Sequence, residues 1–533
     1  MKIRTTKTAS GSTAIQVVKY VQRKKVILKH IGSAKNDEEI VLLKNKALRW
    51  IIDNDNQGWL FKEFLINTQD KLGISGNKSE EYSNNLVKSN FRSVGVKYQI
   101  LYEVLSSLIN EFNFRSLDKN VNQLNMMIDL VIARIVFPSS KFESLQLLDQ
   151  YFGLKYSYRT LSRNFKYFSN IKDDIEFKIV NFAKEKIRFD FNFVFYDLTT
   201  LYFESFKDDD LRKNGFSKDN KINQPQIMIG LLVNKEGFPI SYQIFPGNKF
   251  EGHTMIPIIN DLLKKYQIKK SNITFVADAA MINNDNIDYL LAHNLNFIVG
   301  ARIANLNESL ISDINDNLDG EDNKIYRIND QKQLNCHLIT HFSNSRYRKD
   351  KSDMKKQIIK ANNLLKTSDP SQIRKRSKFL QKSQENNQKY QINSKLIDKT
   401  TKLLGIKGYY TNIQQENSQQ LTDSDIINRY RNLWQVEKSF RISKSDLKMR
   451  PIYHYQECTI KSHILICFMA LAIAKYIEIK TNQSIKSVIK TLKTRPNSII
   501  INKNTGEEIV LDAQINKEIN ELKNKLECGT NLS

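Results

Sequence analysis

The chain is short of acid. Its 533 residues carry 57 Asp and Glu against 82 Lys and Arg, a formal charge of +25. A deficit spread along the whole sequence points to a polyanionic partner, nucleic acid first. Cysteine is scarce too: Cys336, Cys458, Cys467 and Cys528 are scattered without pairing or metal spacing, which suits a reducing cytoplasm. Met1–Ser12 holds no apolar segment of the kind a secretory signal needs. No lipidation motif or long basic amphipathic anchor stands out, so a membrane partner is not expected. The longest apolar run, Ile464–Ile473, falls short of the roughly 20 residues a bilayer requires and reads as a buried core helix. No internal repeat is present. What is there fits a folded protein: 40% of residues are hydrophobic and 10% aromatic. The length is too great for one core and suggests roughly three or four domains.

In residues 1–33, Ala14–Val21 and Val26–Ile31 flank the basic turn Gln22–Lys25, which predicts a hairpin. Asn36 opens a helix through Asp53 with Ile40, Leu43, Ala47 and Ile51 on one side. Residues 66–95 have the composition of a linker. From 96 to 187 the period is helical, over Tyr98–Phe112, Asn122–Ile135, Ser140–Phe152 closed by Gly153, and Tyr158–Phe168 capped by Ser157. The last two read either as a helix-turn-helix carrying Arg159, Arg163 and Lys166 or as a plain helical hairpin.

At Phe189 the period changes. Asn192–Tyr196 is a strand ending in Asp197, followed by strands Gln226–Val233 and Phe238–Phe245, and by a helix over Met255–Tyr266. Then come a short strand Ile273–Ala277 ending in Asp278, a helix from Asn283 to about His293, and a strand Leu295–Gly300. This order predicts a mixed sheet with helices packed on it, an α/β class. Residues 302–420 read as an insertion. It holds strands at Ile325–Ile328, Leu334–Phe342 and Gly408–Asn412, and a basic helical stretch from Tyr347 to about Phe379. A core helix over Ile460–Ile477 follows. The tail offers a helix near Ile485–Leu492, a hairpin around Asn504-Thr505-Gly506 and a polar terminal helix.

Ile426–Arg450, wound as one helix, sets Tyr430, Glu437, Arg441, Lys444 and Lys448 in a narrow sector beside an apolar stripe of Leu433, Val436, Phe440 and Leu447. Thr422 with Asp425 gives a capping-box-like start. The helix is either a solvated amphipathic surface with i,i+4 ion pairs or a metal-binding carboxylate flanked by phosphate-gripping cations. Asp197 and Asp278 bear on the choice. Each stands at the expected end of an apolar strand, and neither is core filler, since burying an unpaired carboxylate is expensive; each alone also fits a turn or cap aspartate. Three carboxylates converging on one rim would repel one another unless divalent cations neutralised them, and oxygen-only ligands suit Mg²⁺ or Mn²⁺. Two such ions are an apparatus for in-line displacement at phosphorus.

These blocks resemble bacterial insertion-sequence transposases of the DDE type, in the superfamily named after insertion sequence four. The resemblance runs from about Ile15 to Ile477. It rests on Phe195–Thr200, on Val276–Ala280, and most specifically on Tyr430–Arg441 with Lys444–Leu447 and Arg450-Pro451 behind; Gly247-Asn248 with Glu251 and Thr254 is a lesser match. It implies a retroviral-integrase (RNase H-like) mixed-sheet core interrupted by an insertion domain before the last catalytic helix. It also implies Asp197, Asp278 and Glu437 as catalytic, metal-binding residues, with two Mg²⁺ or Mn²⁺ ions per site. Tyr430, Glu437 and Lys444 match the superfamily's Tyr–Arg–Glu–Lys signature. Its arginine belongs at position 433, where this sequence has Leu433; Arg431 lies nearby but points some 120° from Glu437 on an ideal helix. A second departure is Asn283, where an aromatic is usual. Tyr430, Arg431, Arg441, Lys444 and Lys448 are the expected DNA- and phosphate-binding residues, and Trp434 either stacks on an unpaired base or packs in the core.

The expected organisation is 1–60 hairpin plus helix, 61–95 linker, 96–187 helical DNA-binding region, 188–301 first part of the core, 302–420 insertion, 421–480 second part with the Glu437 helix, and 481–533 tail. The expected function is binding the element's terminal inverted repeats, cleaving the double-stranded DNA ends and joining the 3′ ends to target DNA. A homodimeric synapse and a cytoplasmic, nucleoid-associated location go with it. The alternatives are a catalytically inactive DNA-binding remnant and an RNase H-like nuclease. Cys336-His337 with His341 lie on an expected strand and read as structural, the Asp208-Asp209-Asp210 run as solvated, and His253 and His463 as capping or packed.

Overall fold

Alternating apolar residues organise the first part of the chain. The computed structural model describes residues 2–34 apart from 9–10 and 22–23, parts of 39–50, and 91–527 apart from 118–120, 205–206, 216–222, 269–272, 282, 332–335, 367–376, 384–389, 415–420 and 503–504. It divides into two units, residues 1–95 with 498–511, and residues 96–497 with 512–533.

In the first unit β1 (Lys2–Lys7), β2 (Thr13–Val21) and β3 (Lys24–Ala34) form an antiparallel sheet. The hairpin expected from the sequence is β2 with β3, and its turn residues Gln22 and Arg23 lie outside the described residues. Strand β1 escapes a pattern reading because KIRTTK holds a single apolar residue, Ile3. Ile15, Val17 and Ala47 are buried together, with Ile40, Leu43 and Trp50, which like Ala47 are helical, against them. Ile51 is outside the described residues. A second sheet joins β4 (Phe91–Lys97), β15 (Asn497–Asn502) and β16 (Glu508–Leu511) in the order β16-β15-β4. The last residues of the expected linker are therefore a strand, paired with a partner some 400 positions away in sequence; residues 61–90 are outside the described ones.

The second unit opens with α1 (Gln99–Glu111), α2 (Val121–Val136), α3 (Lys141–Phe152), α4 (Tyr158–Asn170) and α5 (Lys172–Ile187). Gly153 ends α3 at φ 73°, where only glycine is free of a Cβ penalty, and the Ser157 hydroxyl caps α4 by accepting from Thr160 N–H. Arg159, Arg163 and Lys166 are exposed on α4, while Leu161, Phe165 and Phe168 turn inward.

Next come β5 (Phe193–Tyr202), β6 (Gln226–Val233), β7 (Pro239–Pro246), α6 (Met255–Tyr266), β8 (Thr274–Ala277), α7 (Asn284–Ala292) and β9 (Asn296–Ala301). The region 302–420 adds α8 (Glu308–Leu318), β10 (Ile325–Gln331), β11 (Cys336–Phe342), α9 (Asn344–Lys366), β12 (Leu380–Lys382), β13 (Tyr390–Ile392), α10 (Ser394–Lys402) and β14 (Ile406–Thr411). One mixed sheet results, in the order β10-β11-β14-β9-β8-β5-β6-β7, with β9, β8 and β5 parallel and the other neighbours antiparallel. Residues 302–420 thus extend the sheet through the pairing of β14 with β9 while keeping a small separate core of Met354, Ala361, Phe379 and Leu404. Every residue of β6 is buried, as a strand covered on both faces must be.

After the sheet come α11 (Asp423–Arg431) and α12 (Trp434–Arg441), then a π-helical turn over Ile442–Asp446. This corrects the single helix drawn over Ile426–Arg450. The ladder breaks at Asn432-Leu433, where Leu433 N–H bonds to the Tyr430 carbonyl and Gln435 N–H to the Asn432 carbonyl, both three residues back. It widens at the other end, where Leu447 N–H bonds to the Ile442 carbonyl five residues back. Lys448, at φ 44°, lies beyond the helix. The capping box at Thr422 and Asp425 is present as expected.

The apolar run 464–473 belongs to α13 (Glu457–Thr481), followed by α14 (Ile485–Leu492) and α15 (Lys517–Glu527). At 25 residues α13 is long and apolar enough to cross a membrane, so the length argument from the sequence fails. The helix is instead covered by protein, with 89% of its most apolar window buried against neighbours that include α2, α4 and β7.

A buried carboxylate ties the helical region to the sheet. Glu176 on α5 is fully buried and takes the Lys265 ammonium at 2.6 Å and the Lys172 ammonium at 3.0 Å. Its other bonds come from the Ser241 hydroxyl at 3.1 Å and Tyr242 N–H at 3.0 Å on β7. Glu176→Ala would leave the Ser241 hydroxyl and Tyr242 N–H buried without this acceptor and reduce the Lys265 ammonium to its exposed partners Asp173 and Asp261. The expected loss is about 3–5 kcal/mol of unfolding free energy, read from denaturant titration.

Candidate active site

Asp197 and Asp278 come together through strand pairing. β5 and β8 run parallel, with Tyr196 opposite Ala277 as their last pair. Asp197 and Asp278 are the next residue on each strand, and neighbouring strands lie about 5 Å apart. The sequence had β5 ending at Tyr196. In fact it continues to Tyr202 along β6, with Asp197 opposite Leu231, so what ends at Tyr196 is the pairing to β8. Beyond that point β5 keeps β6 as a partner and loses β8, so both aspartates stand at the carboxyl end of the parallel pairing, where sites form in sheets of this kind. Each carboxylate accepts the N–H of its own following residue: Leu198 for Asp197 and Ala279 for Asp278, both at 2.7 Å. Asp197 is half-buried and Asp278 exposed.

The helix pair α11–α12 covers this end of the sheet. α11 is anchored where the Arg327 guanidinium meets Asp423 at 2.6 Å and where Arg429 stacks on the Phe193 ring at 4.2 Å. α12 is anchored by the Ser439 hydroxyl, which donates to the Gly237 carbonyl at 2.7 Å. Tyr430, the last but one residue of α11, donates its hydroxyl to Asp278 Oδ1 at 3.1 Å. Burial, and then the negative charge of Asp278, push the Tyr430 phenol well above its ordinary value, so it stays a donor. Gly300 makes room for it: a Cβ there would stand 2.5 Å from the Tyr430 hydroxyl.

The structure sorts the remaining expected residues. Glu437 is exposed on α12 and, among the described residues, makes no hydrogen bond or ion pair. Arg441 is exposed on the same helix, Lys444 sits in the π turn, and Trp434 is 50% exposed. Lys448 leaves the group, because it follows the π turn and lines a separate cavity with Arg134 and His463. Arg431 joins three residues that a local reading of the sequence does not connect: His341 on β11, Arg346 on α9 and Lys407 on β14. Burial, followed by the charges of Arg431, Lys407 and Arg346, lowers the His341 imidazole from 6.5 to about 4. Burial and the Arg346 charge lower the Lys407 ammonium, while the nearby Asp278 charge opposes them. A basic cluster therefore borders Asp278 from the side of residues 302–420. The sequence carried one hint of it, a charged Lys407 inside the otherwise uncharged strand IKGYYT.

The two aspartates offer hard oxygen donors of the kind that suit Mg²⁺ or Mn²⁺. Among the described residues, however, no three His, Cys, Asp or Glu side chains stand close enough together to hold a metal ion, so Glu437 is not gathered with the pair. The lesser candidates separate. Cys336 and His337 are adjacent on β11 and point to opposite faces of the sheet. Asp208 and Asp210 are exposed, and Asp209 binds Arg212 at 2.7 Å. His253 meets the Phe250 ring, and His463 lies buried beside Lys141.

A family model described as "Transposase DDE domain" matches residues 188–473, more than half of the chain. No curated protein sequence matches. Among solved structures the chain is similar to a piggyBac transposase, seen by cryo-electron microscopy in a synaptic complex with hairpin DNA. That match has 11% identity and a TM-score of 0.38, and covers 74% of this chain and 76% of that one.

Tyr430→Phe keeps the ring against Tyr409, 4.6 Å away, and removes only the bond to Asp278. Unfolding free energy should fall by about 1 kcal/mol, and an unchanged value would show that the bond does not persist in solution. A second expectation concerns pH. The folded His341 value of about 4 lies below the ordinary 6.5, so between these the unfolded chain binds more protons. Stability is intact above pH 6.5 and falls as pH drops toward 4. Among the described residues His341 Nδ1 has no hydrogen-bond partner, so His341→Phe loses nothing there. It should flatten the slope of stability against pH by up to about 1.4 kcal/mol per unit.

Proposed function

Because the chain belongs to the DDE transposase family, we propose that it binds the terminal inverted repeats of its own mobile element, cuts the DNA there and joins the 3′ ends to target DNA. The observation that carries this reading is the juxtaposition of Asp197 and Asp278 immediately past the last parallel pair of β5 and β8, with Tyr430 held against the second. The subtype we assign is the superfamily named after insertion sequence four, supported by the spacing of Tyr430, Glu437 and Lys444. We read β7-β6-β5-β8-β9 as an RNase H-like core, with residues 302–420 as its insertion domain.

Asp197, Asp278 and Glu437 would hold two Mg²⁺ or Mn²⁺ ions, which when bound make a water or 3′-hydroxyl nucleophilic and stabilise the leaving oxygen. The chain's own residues do the rest. Tyr430 orients Asp278 and keeps one of its oxygens occupied, leaving the other for a ligand. Arg441 and Lys444 grip phosphates beside the scissile bond, and Trp434, half exposed, offers a stacking face to an unpaired base. Arg431 with Arg346 and Lys407 forms a second phosphate-holding group on the far side of Asp278, which serves in place of an arginine at Leu433. The exposed cations of α4 and the rest of 96–187 grip the repeat DNA, so binding weakens steeply with salt. Two copies acting on two DNA ends, in the cytoplasm on the nucleoid, complete the proposal.

A second reading, a catalytically inactive DNA-binding remnant, is favoured by one observation: among the described residues no three such side chains are gathered to hold a metal ion. An RNase H-like nuclease would cut without joining. The test is Mg²⁺-dependent cleavage and strand transfer of a labelled element end by the wild-type chain and by Asp197→Ala, Asp278→Ala and Glu437→Ala. We expect each variant to lose at least about 100-fold in rate while retaining DNA binding. Cleavage at the wild-type rate by Asp278→Ala would refute the assignment. Binding without any cutting by the wild type would support the remnant.

A further inference from the structure

Away from the aspartates, within the second unit, lies a cavity of about 560 Å³ between the α2–α3 junction, the segment after the π turn and the start of α13. Its floor is cationic. Arg134, Lys141 and His463 are 3%, 4% and 4% exposed. Neither Arg134 nor Lys141 makes an ion pair among the described residues. Arg134 reaches the Leu447 and Lys448 carbonyls only at 3.5 Å, and its buried Nε has no partner among the described residues. The Lys141 ammonium lies 3.4 Å from His463 Nδ1. The other ring nitrogen, Nε2, stands 2.9 Å from the Met449 carbonyl, which can only accept; Nε2 therefore carries the proton and Nδ1 is Lys141's acceptor. The lining holds one carboxylate, the exposed Glu143, while Lys448 and Arg450 add positive charge.

Buried cations without a counter-charge are costly, and a fold does not need them at this place. Burial and then the Arg134 charge hold Lys141 well below its ordinary value, a strain that an incoming anion would relieve. The rim is aromatic: Phe142, Tyr158 and Tyr453 are 58%, 53% and 59% exposed, with the first two rings 6.0 Å apart. The volume falls in the range of about 300–1,000 Å³ usual for small-molecule sites. Cations this deep are out of reach of an intact duplex backbone. A phosphate at the end of an unpaired strand can reach them, with its base left at the aromatic rim.

We propose that this cavity binds a nucleotide phosphate-first, either as the 5′-phosphorylated end of an unpaired strand or as a free mononucleotide. The inference does not rest on the catalytic assignment, since none of its groups is one of the proposed metal-binding carboxylates.

The test measures binding to the full chain of a short single strand with a 5′-phosphate, the same strand with a 5′-hydroxyl, dAMP and inorganic phosphate. It is repeated with Lys141→Met and Tyr453→Ala. The phosphorylated strand should bind about 10- to 100-fold tighter than its hydroxyl twin. Lys141→Met should erase that preference with an unfolding midpoint at or above the wild type's, because it removes an uncompensated charge. Tyr453→Ala, at the exposed rim, should weaken the strand and dAMP but not inorganic phosphate. Tighter binding of the strand than of dAMP identifies a strand end, and equal binding a free nucleotide. Equal affinity of the two strands for the wild type overturns the proposal, as does a preference that survives Lys141→Met. Inorganic phosphate binding as tightly as the phosphorylated strand overturns the nucleotide. If Lys141→Met unfolds, the wild-type comparison and Tyr453→Ala decide.

Discussion

The parallel pairing of β5 with β8 is the constraint on which the proposed active site depends. It ends at Tyr196 and Ala277, and the next residue on each strand is an aspartate. Two carboxylates are thereby held side by side by backbone hydrogen bonds, which a polar site needs because like charges would otherwise drive the side chains apart. The neighbours of this pair follow from it. β6 stays with β5 past the divergence and keeps Asp197 on a rigid strand. β9 extends the parallel set and supplies Gly300, whose missing side chain admits Tyr430.

Charge is distributed in two ways. Carboxylates inside the second unit are matched, as Glu176 is by Lys265, Lys172 and β7. Cations are often not. Arg431 and Lys407 crowd around His341 and Asp278 beside Arg346, which Asp350 pairs at 3.2 Å, and Arg134 and Lys141 face a cavity without a carboxylate among the buried groups. A chain with a surplus of 25 positive charges cannot pair them all internally. Where the unmatched ones are buried, the fold bears a desolvation cost that only an anionic partner removes.

The segment from Thr422 to Arg450 shows how local geometry redistributes function. A three-residue bond pattern at Leu433 and a five-residue one at Leu447 change the phase twice. Tyr430 is thus presented to Asp278 by one helix, Glu437 stands exposed on the next, and Lys448 passes to a different surface. Phase errors of this kind accumulate along a helix wheel and cannot be seen from spacing alone.

The sequence by itself determined the local features. The mixed β and α order from Phe189 to Gly300 was legible because apolar runs bounded by turn residues make strands and 3.6-residue periods make helices. The caps at Thr422, Ser157 and Gly153 were legible because they satisfy backbone groups within a few residues. So was the weight placed on Asp197 and Asp278, the two acids at the ends of strongly apolar stretches. Tertiary structure decided everything that joins distant parts. Pairing of β4 with β15 turned an expected linker into a strand. Docking of β14 on β9 brought Lys407, and with it Arg346 and Arg431, to Asp278. Packing against α2, α4 and β7 covered α13, a helix long and apolar enough to cross a membrane. The physical reason is common to all three: a strand edge or an apolar helix face specifies that it must be covered, and the partner that covers it is chosen by the whole chain.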